Sequence, residues 1–79
     1  MEQRFVAASA MLTEAVLKSY LLEMPSGHIF DLTYALFADV FPPGYPDSAS
    51  LAKLEALAAE CNCSNTDNKA ERRFELTRR

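Results

Sequence analysis

Between Phe5 and Phe41 this chain carries two segments whose apolar positions cover far more than one narrow stripe. With only 79 residues there is little interior in which to hide them. A single core at this size yields only about 3–5 kcal/mol of net stability unless something staples it. Some of that apolar surface is therefore expected to meet a partner.

From Glu2 to Glu23 the chain is rich in Ala, Leu, Met and Glu and lacks Pro and Gly, which predicts a first helix. Phe5, Ala8, Leu12, Val16 and Tyr20 fall on one side of it, and only Gln3, Glu14 and Lys18 mark a polar strip. That arc is wider than the ~100° a surface helix needs to cover a core. Pro25-Ser26-Gly27 breaks the segment. A second helix is read over His28–Phe41, with Phe30, Tyr34, Phe37 and Phe41 in one stripe and Ile29, Leu32, Leu36 and Val40 beside it.

Pro42-Pro43-Gly44-Tyr45-Pro46 cannot be helical and reads as a stiff connector with Tyr45 packed down. Asp47 or Ser48 then caps a third helix running to about Cys61, with Leu51, Leu54, Ala58 and Cys61 inward. After the polar stretch 62–68 a short fourth helix is expected through Ala70 and Phe74, although Arg73–Thr77 also alternates as a strand would. The predicted architecture is all-α and dimeric. It is a small bundle of three main helices plus a short C-terminal helix, packed around Phe30, Leu36, Phe37, Val40 and Leu54. Residues 1–68 make the helical domain and residues 69–79 a basic C-terminal helix or tail.

The net charge of −3 conceals an asymmetry. Residues 1–68 hold three basic and nine acidic side chains, whereas residues 69–79 hold five basic and two acidic ones. An acidic body with a basic end suits a tail that docks on its own body or meets an anionic partner. No apolar run approaches the ~18 residues of a membrane span, and no secretory signal is read at the start. A reducing, cytoplasmic setting follows. Cys61 and Cys63 are the only cysteines, and a one-residue spacer makes them a poor internal disulfide. Cys61 is expected to pack as a small hydrophobe, and Cys63 to be exposed and oxidisable.

No catalytic constellation is legible. His28 is the only histidine and reads as a surface or capping residue, without a nucleophile elbow or glycine-rich oxyanion loop. Cys61, Cys63 and His28 fall short of a four-ligand zinc site. No cofactor and no metal is expected, nor an enzyme. The favoured function is a small non-enzymatic helical module for protein–protein contact or regulation. It would act as a homodimer or on an unidentified protein, in one form as an acidic inhibitor of a host or partner protein. Phe5, Leu12, Val16, Tyr20 and Tyr34 are the candidate interface.

The competing reading is a DNA-binding regulator. Leu57–Asp67 resembles the first half of a helix-turn-helix, with the turn at Asn62. A recognition helix beginning near Thr66 would present Lys69, Arg72 and Arg73 to DNA, with Arg78 and Arg79 behind them. Such a helix needs inward apolar residues near Asn68 and Glu71, and both are polar.

Overall fold

The structure is a computed structural model that describes residues 4–6 and 12–79, the first three as backbone. It overturns the all-α reading. Among the described residues three helices pack with a four-stranded sheet, so the fold is mixed α/β. The order is β1 (Arg4–Val6), α1 (Glu14–Glu23), β2 (Ile29–Thr33), α2 (Tyr34–Val40), α3 (Ser48–Glu60), β3 (Cys63–Asn68) and β4 (Arg73–Arg78). The strands lie in the order β1-β2-β4-β3, with β1 parallel to β2 and the other pairs antiparallel.

Of the expected first helix, Glu14–Glu23 is helical. Thr13 caps α1, its Oγ1 accepting from the Val16 amide at 3.2 Å. Arg4–Val6 forms a strand, and residues 2–3 and 7–11 of the expected helix lie outside the described residues.

The expected second helix divides at Thr33. Ile29–Thr33 is a strand, and the Thr33 hydroxyl accepts from the Leu36 amide at 3.2 Å to start α2. Four of the five residues of β2 are buried. Its three apolar residues, Ile29, Phe30 and Leu32, continue into those of α2, and periodicity alone cannot tell so short a buried strand from a helix.

The expected fourth helix is a hairpin. β3 and β4 pair from Cys63↔Arg78 to Asn68↔Arg73, and residues 69–72 close the turn. The alternation of Arg73–Thr77 was the correct signal: Phe74 and Leu76 point inward and are buried. The basic segment 69–79 is thus an integral part of the sheet and not a separate tail.

The register fixes two faces. Phe30 opposes Leu76 and Leu32 opposes Phe74, so all four point to one side. The helices cover that side: the Tyr20 ring lies 5.8 Å from Phe30, and Phe37 meets Phe74 edge-on at 4.8 Å. Leu17, Leu21, Leu54 and Leu57 complete the core. Of the predicted core, Phe30, Phe37 and Leu54 are buried, while Leu36 and Val40 are partly buried at its margin.

Asp47 caps α3, its Oδ2 accepting from the Ser50 amide at 2.9 Å. Gly44 in the preceding connector has φ +91°, and a Cβ there would sit 2.7 Å from Ala38 Cβ. Both the backbone conformation and the close approach demand glycine.

Candidate functional site

The candidate interface residues do not form one surface. Phe5 pairs with Phe30 in the sheet, and its side chain lies outside the described residues. Leu12 is 4% exposed and belongs to the core, so Leu12→Asp would report on folding and not on assembly. Val16 and Tyr20 are 39% and 45% exposed on one flank of α1. Beside them Tyr20, Glu23, Met24 and Phe30 border an apolar groove of about 270 Å³. Leu22, also exposed, lies on the other flank of the helix.

The basic candidates divide as well. Arg73 is part of an ion network on the sheet face opposite the helices. Its Nη2 lies 3.1 Å from Glu75 Oε2, and its Nε lies 3.6 Å from Asp31 Oδ1. Asp31 and Glu75 oppose one another across the strands, so this arginine separates two carboxylates that would repel. Arg78 Nη1 donates to the carbonyls of Leu21 and Leu22 at 2.7 and 3.0 Å, meeting the negative end of α1. The Arg79 amide donates to the Asn62 carbonyl at 3.0 Å. Only Lys69 and Arg72 stand at the hairpin tip.

Tyr34 lines a different groove from the one beside Tyr20. It stacks on Tyr45, with ring centroids 4.3 Å apart and planes 10° from parallel. Phe74 supports it from the core at 5.3 Å, and its hydroxyl donates to Asp67 Oδ1. Burial pushes the Tyr34 phenol well above its ordinary pKa, and the bond to Asp67 raises it further. The Arg72 guanidinium lies over the same ring, 5.8 Å from its centroid. Tyr34, Ala38, Pro43, Tyr45, Glu71 and Arg72 surround a groove of about 490 Å³.

Neither Tyr45 nor Asp67 was singled out from the sequence as part of a site. The prolines flanking Tyr45 did signal a fixed ring, but no local pattern places it beside residues 67 and 72.

Cys61 and Cys63 are both free and both buried, so the expected exposure of Cys63 does not hold. Burial pushes both thiols above their ordinary pKa. Among the described residues no group of three His, Cys, Asp or Glu is placed to hold a metal. No described helix is long and apolar enough to cross a membrane.

The chain matches no protein-family model, and no curated protein or solved structure matches it.

Proposed function

We propose that this chain is a non-enzymatic binding module that works by protein contact, first of all with a second copy of itself. The observation that carries this reading is the pair Val16 and Tyr20, exposed on one flank of α1 beside the groove at Met24 and Phe30. A projection and an apolar cleft on one surface are self-complementary, which is what a two-fold interface requires. Large exposed apolar side chains at such a patch are typical interface anchors. Where the partner is another protein, the acidic body favours a basic surface, as an inhibitor of such a protein would. The setting is the reducing cytoplasm, which keeps Cys61 and Cys63 as thiols.

Light scattering of the purified protein and of Val16→Asp tests this. A dimeric mass that becomes monomeric in the variant, with an unchanged circular dichroism spectrum, is expected. A monomeric wild-type mass at micromolar concentration overturns self-association.

A second reading is duplex DNA binding, which one topological observation favours. Helices α2 and α3, joined by residues 41–47 and followed by the β3–β4 hairpin, have the order of a helix-turn-helix that carries a wing. The helix-turn-helix is then α2–α3, not the 57–67 segment, where β3 replaces the expected recognition helix. Against it, α3 is outwardly poor in cations. Lys53 is exposed together with Glu55 and Glu60, and Ala49, Ala52, Ala56 and Ala59 fill the remaining surface. Phosphate contact needs cations. Titration of labelled duplex at two salt concentrations decides: affinity that falls steeply with salt and is lost in Lys53→Glu supports DNA, and its absence removes it.

A further inference from the structure

We propose that the groove under the hairpin tip binds a nucleotide of a single-stranded nucleic acid, its base stacked on the Tyr34–Tyr45 platform and its phosphate on Arg72. The inference is independent of self-association through α1, since the two surfaces share no residue.

Arg72 is the first observation. Its φ is +54°, in the left-handed region that glycine or asparagine occupies with little steric penalty. The fold uses this conformation in closing the hairpin, where the Arg72 amide donates to the Lys69 carbonyl at 3.2 Å, and the Arg72 carbonyl accepts from the Tyr34 amide at 3.0 Å beside it. A glycine would serve that turn better, so what the position keeps by holding an arginine is the side chain. That side chain is exposed, lies over the Tyr34 ring and, among the described residues, makes no ion pair. A guanidinium already oriented over an aromatic ring, with its charge unspent, is prepared for an anion.

The platform is the second observation. Tyr34 is fixed from below by Phe74 and at its hydroxyl by Asp67, and Tyr45 is laid flat against it. Tyr45 remains 36% exposed between Pro43 and Pro46, so a ring face is presented with little entropy left to lose. Ala35 and Ala38 leave room beside it. A volume of about 490 Å³ lies within the range of small-ligand pockets. Glu71 lines the same groove and offers a carboxylate to the exocyclic amine of a base such as cytosine.

Stacked tyrosines, one planar cation and one carboxylate recognise a planar amino-bearing ring that carries an anion. Bases in a duplex are already stacked and cannot enter, so the source is a single strand. Lys69, whose carbonyl accepts from the Arg72 amide at 3.2 Å, stands where a neighbouring phosphate would run.

Tyrosine fluorescence gives a direct readout, since the chain has three tyrosines and no tryptophan. The titrants are the octamer (dC)8 and the free nucleotide CMP. Saturable quenching by (dC)8 is expected, at least tenfold tighter than by CMP. The log affinity should fall by roughly 1.4 per decade of salt if two phosphates are held. Tyr45→Ala and Arg72→Gly should each weaken (dC)8 about tenfold or more. Arg72→Gly should at the same time hold or raise the urea midpoint, because it relieves the left-handed backbone. That separates loss of binding from loss of fold. Val16→Asp should leave the quenching unchanged. Absence of saturable quenching by (dC)8 overturns the proposal, as does undiminished binding in Arg72→Gly. CMP binding as tightly as (dC)8 overturns the assignment to a strand.

Discussion

Strands β2 and β3 flank the same partner, β4, and pair with it along nearly their whole lengths. Their sequences could hardly differ more. Ile29-Phe30-Asp31-Leu32-Thr33 is buried at four positions of five, whereas Cys63-Ser64-Asn65-Thr66-Asp67-Asn68 buries only its first residue. β2 is a strand because its own side chains need cover on both faces. β3 is a strand because β4 offers it a ladder, and side-chain bonds such as Asn68 to Glu75 at 3.2 Å hold it there. Polar edge strands of this kind also discourage pairing with a foreign chain.

The largest losses are expected at β2. Leu32→Asp places a carboxylate at a fully buried position. The cost should exceed the ~3–5 kcal/mol available to a domain of this size, so no cooperative urea transition should remain. Next comes Arg73→Met, which leaves Asp31 and Glu75 facing each other on adjacent strands. A loss of about 2 kcal/mol is expected from urea titration, with partial recovery on adding Asp31→Asn.

On β3 the effects should shrink. Asn65→Ala removes the 2.7 Å bond from Asn65 Nδ2 to Glu55. The expected loss is below about 1 kcal/mol, because the bonds replaced were partly to water. Cys63, the one buried residue of β3, gives a pH test together with Cys61. Burial raises both thiol pKa values in the folded state above those of the unfolded chain. The stabilisation is therefore complete below the unfolded thiol pKa of ~8.5 and is lost as pH rises through the raised values. Iodoacetamide at pH 8 should label the native protein much more slowly than the urea-unfolded one. Smallest of all is Thr66→Val at an exposed position, expected within about 0.5 kcal/mol by urea titration. A large loss there would mean that β3 carries more of the fold than its burial implies.

The same contrast explains what could be read from the sequence. Asp47 announced the start of α3 by cap chemistry, and Leu54 and Cys61 revealed its inner face, because both signals are local. Phe74 and Leu76 displayed a two-residue period that identifies β4. β2 was hidden by its own hydrophobicity, since Phe30, Tyr34, Phe37 and Phe41 also fit a helical stripe; the deciding residue was Thr33, an N-cap inside an apolar run. β3 left no signal of its own: Asn, Asp and Ser are poor strand formers, and it is a strand only through its pairing with β4. Site residues were legible by type but not by place. Lys69, Arg72, Arg73 and Arg78 look alike in sequence, yet one bridges carboxylates, one caps a helix and two stand at a hairpin tip.

The position of β4 has a consequence in time. It follows both β2 and β3 in the chain and yet lies between them, so neither has its antiparallel partner until residues 73–78 emerge. At about 5–20 residues per second, a nascent chain would carry Phe30 and Leu32 without that partner for a few seconds. Over that interval the emerging polypeptide exposes an adhesive stretch, and molecular chaperones would meet it before β4 does.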